Sequence, residues 1–188
     1  MDSSYFTNPL EFLINTLFGL YILAVMLRFL LQCVRADFYN PLSQFLVKVT
    51  NPALRPLRRV IPGFGGIDLA AVVLMLALQI ANNALVLWLA GAGLHPATLI
   101  VGSIAALLSL LINVYIVSVL IQAVLSWINP NPYNPIGAIL YSLNEPLLEP
   151  VRRIIPPIAG LDLSPLVVII ALQLLKMLLI PLLFQLAV

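Results

Sequence analysis

The sequence predicts an all-α membrane protein whose four transmembrane helices form two parallel tandem repeats. Three observations lead to this fold class: the composition, four long apolar segments and an internal duplication. Of the 188 residues, 62% are apolar and only 9% are charged, whereas a soluble domain carries about 25% charged residues. So few charges cannot cover a globular surface in water, and we therefore expect lipid to surround the chain.

Four segments are apolar over the length that a helix needs to cross a bilayer, roughly 20 residues. All four should be helices, because the open edge of a strand cannot satisfy its backbone groups in lipid. The third is too long for an upright helix and should tilt or emerge from the bilayer. The predicted spans are residues 10–34, 69–89, 98–128 and 163–186.

A constant offset relates two copies of one motif, at residues 40–71 and 134–165 (134 − 40 = 94). Each motif lies between two spans, so the chain divides into a first repeat (1–90), a turn (91–97) and a second repeat (98–188). Each repeat holds two spans, and both motifs should therefore face the same side of the membrane. The matched positions are Asn40/Asn134, Pro52/Pro146, Pro56/Pro150, Arg58/Arg152, Arg59/Arg153, Pro62/Pro156, Gly66/Gly160 and Asp68/Asp162.

The basic residues predict which side this is. By the positive-inside rule, short loops rich in Lys and Arg stay in the cytoplasm. We therefore expect cytoplasmic motifs and both termini on the periplasmic side, and the N-terminus lacks the basic start of a cleaved signal peptide. The basic residues outside the spans all lie in or beside the motifs: Arg35, Lys48, Arg55, Arg58, Arg59, Arg152 and Arg153.

Each motif is predicted to form a hairpin of two short helices. Asn40 and Asn134 precede a proline, which is typical of an N-cap and a first helical residue, and Pro52 or Pro146 should begin the second helix. This Arg-rich hairpin would lie in the interface or enter the membrane as a shallow re-entrant segment. Asp68, Asp162 and Ser164 are candidate caps and ion-pair partners at the start of the next span.

The two arginine pairs, Arg58-Arg59 and Arg152-Arg153, have two interpretations. They could bind an anionic lipid head group, a phosphate or an acidic partner helix. Alternatively, they anchor the motif at the cytoplasmic surface, with one arginine of each pair bonded to the aspartate that caps the following span. A basic residue beside an anionic membrane contributes about 1 kcal/mol, which is enough for anchoring.

Polar residues inside the spans raise a second question. Lys176 lies fourteen residues beyond Asp162 (176 − 162 = 14), or roughly 21 Å along a helix. With Gln173 it forms a pair whose repeat equivalents are Asn82 and Gln79. An intramembrane ionisable residue is a functional candidate, so these could form a polar track, or they could join helices by hydrogen bonds.

Arg28 lies near the cytoplasmic end of the first span, and we expect its long side chain to snorkel to the interface. The sequence offers no nucleophile–base pair, no phosphate-cradling glycine loop and no metal-ligand spacing around Cys33 or His95. We therefore expect a protein that is not an enzyme and has no cofactor or metal. The net charge of +2, without an extended basic face, does not predict nucleic-acid binding.

The repeated pattern resembles the YggT family, small bacterial inner-membrane proteins with relatives in chloroplasts. Pro146, Pro150, Arg152, Arg153, Pro156, Gly160, Asp162, Ser164 and Pro165 match it, whereas Ala70 and Ala71 replace Ser-Pro in the first copy. The resemblance implies a bacterial inner-membrane location and a role in osmotic tolerance, division or envelope organisation, through anionic lipid, a membrane partner or a homo-oligomer. Two alternatives remain: a channel or transporter, and an assembly factor for a membrane complex.

Overall fold

A computed structural model describes residues 4–128, 134–155 and 162–185. Within these ranges the chain forms six α-helices and no strand, and the all-α class is therefore confirmed. The helices are α1 (Ser4–Cys33), α2 (Pro41–Val60), α3 (Leu69–Leu89), α4 (Pro96–Ile128), α5 (Pro135–Ile154) and α6 (Ser164–Gln185).

Four of these helices, α1, α3, α4 and α6, are long and apolar enough to cross a membrane. Large apolar side chains cover their outer surfaces, as at Leu17, Leu120 and Leu178, each more than half exposed. Such a surface is stable in lipid and not in water, and the chain is a multi-pass membrane protein. The helix α1 begins six residues before the predicted span (10 − 4 = 6), and Leu186, the predicted end of the fourth span, lies outside the described residues.

The spans pack within and between the repeats. In the first repeat α1 packs against α3, in the second α4 packs against α6, and α3 and α4 join the two. A side-chain hydrogen bond of 3.0 Å from Asn83 to Ser103 crosses the α3–α4 contact. The motif helices meet as well, because the Asn40 side chain donates to the Pro135 carbonyl at 2.7 Å. The beginnings of α2 and α5 are therefore neighbours.

Each motif contains one 20-residue helix, and the predicted hairpin of two short helices is wrong. A proline inside a helix removes one backbone hydrogen bond. Pro52 and Pro56 lie on the exposed side of α2. A buried stripe at helical spacing continues past Pro52, and the partly buried Leu57 beyond Pro56 packs against the same core. Packing along that stripe holds the helix together on either side of the prolines. The stripe in α2 consists of Ser43, Leu46, Thr50 and Leu54.

The helix starts are as expected from the sequence. The side chains of Asn40 and Asn134 accept a hydrogen bond from the backbone N–H two residues later, each at 3.0 Å. Proline follows as the first helical residue in both copies, where its missing N–H would have had no partner in the helix. The same local chemistry therefore starts α2 and α5.

The core lies at the motif end of the bundle, where each motif helix packs between two spans. Leu54 in α2 and its equivalent Leu148 in α5 are both 0% exposed. Leu54 belongs to a core cluster with Val25 of α1 and Ala70 of α3. Leu148 belongs to one with Val119 of α4, the equivalent of Val25. One packing scheme therefore holds both motif helices in place.

A tight turn connects α2 to α3. Phe64 and Ile67 exchange backbone hydrogen bonds of 3.1 and 2.9 Å, and Gly65 and Gly66 between them have φ of 60° and 85°. Glycine is the residue that adopts this left-handed region without a steric cost. In the second copy, Pro156 and Gly160 lie outside the described residues.

Candidate functional site

An ion pair links each motif helix to the span that follows it. Arg58 donates through Nε to Asp68 Oδ2 at 3.1 Å, and Nη2 contacts the same oxygen. Arg152 makes the equivalent contact, from Nε to Asp162 Oδ2 at 2.8 Å. One arginine of each pair therefore bonds the aspartate before the next span, which is one of the two interpretations left open by the sequence.

Both aspartates also bind the start of that span. Asp68 is the N-cap of α3 and accepts the Ala71 N–H at 3.4 Å. Asp162 accepts the N–H of Ser164, the first residue of α6 and itself fully buried, at 2.9 Å. A carboxylate suits a helix N-terminus because unpaired N–H groups and the positive end of the helix dipole meet there. Each aspartate thus fixes the motif helix and the span together.

The arginines of the second motif have further acidic partners. Arg152 Nη1 donates to Glu145 at 2.9 Å, and Arg153 pairs with Glu149. Partial burial lowers the pKa of Arg152, but the hydrogen bonds and charges of Asp162 and Glu145 outweigh burial and raise it. Burial likewise opposes ionisation of Asp162, but contacts from Ser164 and Arg152 lower its pKa overall. The second motif is therefore neutralised within the chain.

The first motif helix differs in charge. Its four cations, Lys48, Arg55, Arg58 and Arg59, are accompanied by no acidic residue in α2, and Glu149 of α5 corresponds to Arg55 (149 − 94 = 55). Three of them, Lys48, Arg55 and Arg59, lie on one helix face at intervals of seven and four residues. All three are exposed, and their side chains contact no acidic partner among the described residues. We call these three residues the basic stripe.

An exposed apolar surface lies beside the basic stripe. Phe45 is 60% exposed and Val49 is 36% exposed, and on the helix they occupy the face adjacent to Lys48. Phe38 and Tyr39, just before α2, are 56% and 85% exposed. Cations beside exposed aromatic and aliphatic side chains are the arrangement of a helix that lies in a membrane interface.

A polar contact joins the first span to the motif helix in each repeat. Arg28 Nη1 donates to Thr50 Oγ1 at 2.7 Å, and in the second repeat Asn144 donates to Gln122 at 2.8 Å. Gln122 is the equivalent of Arg28 and Asn144 that of Thr50 at the 94-residue offset (122 − 28 = 94, 144 − 50 = 94). We expected the side chain of Arg28 to snorkel to the open interface. It does not, because it bonds to Thr50 inside the bundle. It is 9% exposed, because α2 packs over it and offers the Thr50 hydroxyl.

A cavity of about 690 Å³ opens beside Arg28, between the end of α1, one side of α2 and the α2–α3 turn. Arg28, Arg35, Arg58 and Asp68 all line it, as does Ser43. Three arginines against one aspartate make the walls electropositive. Within the described residues no cluster of His, Cys, Asp and Glu could hold a metal ion.

The polar residues inside the spans bond mainly to other helices. Asn82 donates to Asn15 of α1 at 3.0 Å, and Lys176 Nζ donates to Asn113 of α4 at 2.8 Å. Gln79 donates to Asn83 one turn along α3 at 3.0 Å. Hydrogen bonds of this kind hold spans together in lipid.

Gln173 does not join this set. Its side chain is exposed and has no hydrogen-bond partner within the described residues. The pairs expected from the duplication, Gln79 with Asn82 and Gln173 with Lys176, are not in hydrogen-bond contact with each other in the described part of the chain.

Comparison with known proteins identifies the family. The family model CCB3/YggT matches the chain twice, at residues 7–89 and 101–183. The chain belongs to the YggT family. The double match agrees with the duplication, and each YggT unit contains two spans and the motif helix between them. No solved structure shows a significant match.

Several relatives match nearly the whole chain. An uncharacterized protein of Pseudomonas aeruginosa is 48% identical over 171 residues, which cover 90% of this chain and 87% of the relative. One from the proC 3′ region of Vibrio alginolyticus is 44% identical, covering 88% and 90%. The uncharacterized YggT of Escherichia coli K12 is 38% identical, covering 90% and 88%.

Sequence reasoning missed part of the site in this YggT chain. The sequence marks Arg35, Lys48 and Arg55 only as topology signals, and it does not single out Ser43 or Thr50. A comparison of charge between the two copies at the 94-residue offset would have found Arg55, because Glu149 stands in its place. No sequence signal marks Ser43 or Thr50, since their importance comes from the packing of α2 against α1.

Proposed function

We propose that this YggT protein is a non-enzymatic protein of the bacterial inner membrane that binds anionic lipid through its first motif helix. The observation that carries the proposal is the basic stripe, which has no acidic partner among the described residues and lies beside exposed apolar side chains. Each cation near an anionic surface contributes about 1 kcal/mol. Lipid binding of this kind would organise the envelope membrane and support osmotic tolerance or division.

The proposal includes an orientation. Both motif helices would face the cytoplasm, where anionic head groups attract basic segments, and both chain termini would be periplasmic. The contact between Asn40 and Pro135 supports a common side for the two motifs. In this position α2 would lie along the interface, with Phe45 and Val49 in the acyl boundary and the basic stripe at the phosphates.

The two repeats would have different roles. The sequence makes Arg152 and Arg153 candidates for lipid binding, but each already has carboxylate partners in the chain. Binding an external anion would require these pairs to break or share their donors. We therefore assign lipid binding to the first motif, including Arg59, and structural roles to Arg152, Arg153 and Asp162.

A channel or transporter finds less support. Asn82 and Lys176 are both engaged by polar side chains on the first span of their own repeat. This is the arrangement expected of residues that join helices, and Gln79 adds to the α3–α4 contact through Asn83. A partner protein would have to recognise the same basic and apolar surface of α2.

The proposal can be tested with the purified full chain in a neutral detergent. We would titrate phosphatidylglycerol against phosphatidylcholine and follow thermal unfolding for the wild type and for a variant with Lys48, Arg55 and Arg59 replaced by Gln. The wild type should gain stability from phosphatidylglycerol, and the variant should lose most of that gain. Replacing Arg152 and Arg153 by Gln is the matched control, which should keep the dependence on lipid. Equal responses from wild type and stripe variant would contradict the proposal.

A further inference from the structure

We propose that the cavity of the first repeat is a binding site for a phosphate group, recognised by Arg28, Arg35 and Ser43. This site is separate from the basic stripe, none of whose residues line the cavity. It goes beyond surface attraction to lipid, because it places a discrete ligand among buried side chains.

Arg28 provides the first reason. Its side chain is 9% exposed and forms no ion pair with any described residue. A buried cation without a counter-charge is strongly unfavourable, and the carboxylate of Asp68, which also lines the cavity, is already bonded to Arg58. Thr50 is the only hydrogen-bond partner of the Arg28 side chain within the described residues. The remaining N–H groups of the Arg28 guanidinium can therefore bind an anion.

Ser43 provides an independent reason. It is 7% exposed and lines the cavity, and its Oγ is fully buried without a hydrogen-bond partner. Buried hydroxyl groups are nearly always hydrogen-bonded, so the unpartnered Ser43 hydroxyl has a donor available for a ligand at this cavity wall. A serine hydroxyl can donate to a phosphate oxygen, as serine and threonine do in many phosphate sites.

Arg35 adds a third donor group at the exposed rim. It follows α1 and has a φ of 53°, in the region that favours glycine. The backbone there closes the helix by an Ala36 N–H to Leu31 carbonyl bond of 2.9 Å, which is the usual end of a helix with a left-handed residue. Its side chain has no ion-pair or hydrogen-bond partner in the described part of the chain, so it can also bind a ligand in the cavity.

The duplication supplies an internal comparison. The Arg58–Asp68 pair has its equivalent in Arg152–Asp162, which marks that pair as structural. The three proposed ligand-binding residues have no such equivalents, because the corresponding positions carry Gln122, Asn129 and Gly137 (28 + 94, 35 + 94, 43 + 94). Both copies therefore share the packing, whereas only the first has the anion donors.

A phosphate group is the ligand that this chemistry fits. Arginine guanidinium groups match phosphate oxygens with two parallel hydrogen bonds, and three arginines against one aspartate leave two positive charges uncompensated. The cavity volume of about 690 Å³ is in the range of small-molecule sites and exceeds what a lone phosphate needs. The phosphate could belong to a lipid head group or be free in the cytoplasm.

The test uses the full chain purified in neutral detergent and measures binding of inorganic phosphate, phosphatidic acid and phosphatidylglycerol by calorimetry. Arg35→Gln and Ser43→Ala change an exposed and a small side chain, so both should remain folded. Each should weaken binding by about tenfold, the effect of losing one charge-assisted or buried hydrogen bond. Arg153→Gln, which lies outside both the cavity and the basic stripe, should bind as the wild type does.

The outcomes separate the ligand sources. Binding of phosphate alone that the cavity variants weaken supports a free phosphate, and binding of lipid alone supports a head group. The proposal is overturned if none of the three probes binds, or if Arg35→Gln and Ser43→Ala bind like the wild type. It is also overturned if Arg153→Gln weakens binding as much as they do, since the loss would then not be specific to the cavity.

Discussion

Arg58 and Asp68 form an ion pair that fastens the end of α2 to the first turn of α3. The duplicated pair, Arg152 with Asp162, makes the same connection between α5 and α6. The two pairs differ in environment, because Asp68 is 5% exposed and Asp162 is 33% exposed. The same ion pair should therefore contribute differently to the free energy of unfolding in the two repeats.

Arg58→Gln should destabilise the protein more than Arg152→Gln does. Removing Arg58 leaves the buried carboxylate of Asp68 without its cation, and the loss of a hydrogen bond to a charged group costs about 1.5–3 kcal/mol. The two carboxylates that Arg152 contacts, Asp162 and Glu145, are 33% and 24% exposed and better solvated than Asp68, so Arg152→Gln should cost less stability. Thermal unfolding in a neutral detergent measures both, and an equal or reversed order would contradict this assignment.

The Arg152–Asp162 pair should make stability depend on pH in the acid range. The pKa of Asp162 is lowered in the folded protein, while an unfolded Asp has a pKa of about 3.9. Its stabilising contribution is therefore fully present above that value and is lost as the pH falls through the folded pKa. Melting temperatures of Asp162→Asn should fall less steeply below pH 4 than those of the wild type. Parallel curves would show that the pair makes no such contribution.

Stability should fall in both repeats when the buried leucine that packs the motif helix against the spans is shortened. Leu54→Ala and Leu148→Ala each remove a fully buried side chain, and such changes cost about 2–5 kcal/mol. Leu42→Ala, on the same helix as Leu54 but 40% exposed, is the control and should cost much less. If Leu148→Ala proved as mild as Leu42→Ala, the second motif helix would not be packed as described.

The polar residues of the spans should be inaccessible to water if they join helices. In a variant whose single native Cys33 is replaced by Ser, a cysteine at position 82 should not react with a water-soluble thiol reagent in intact membranes. His95→Cys, at an exposed position in the turn between α3 and α4, serves as the reactive control. Rapid labelling at position 82 would instead indicate a water-filled path and favour a transport function.

The spans were predictable because their cause is local: about 20 consecutive apolar residues form a helix in lipid wherever they occur. The bonding of one arginine of each pair to Asp68 or Asp162 was also foreseeable as one option, since the duplication keeps that spacing. The continuous helix in the first motif was not predictable, because Pro52 predicts an interruption there. Its continuity depends on Leu54 and Thr50 packing against the spans, which sequence patterns do not describe.

The candidate site was harder to predict than the fold. Whether Arg28 reaches the interface or the interior depends on where α2 lies, and α2 is placed by contacts between distant segments. Ser43 became a candidate only because its hydroxyl lacks a partner in the packed structure. In contrast, the neutral character of α5 could be read from Glu145 and Glu149, each an acidic residue in the motif that the first copy lacks.

One pair of substitutions exchanges the charge pattern of the motif helices and tests the central claim directly. Arg55→Glu gives α2 the residue that α5 has at Glu149 and provides Arg59 with an acidic partner four residues away, while Glu149→Arg frees Arg153. The measurement is the number of phosphatidylglycerol molecules retained by the purified protein in native mass spectrometry. We predict that Arg55→Glu lowers it and Glu149→Arg raises it, with both variants folded. Unchanged retention in both would contradict lipid binding through the basic stripe.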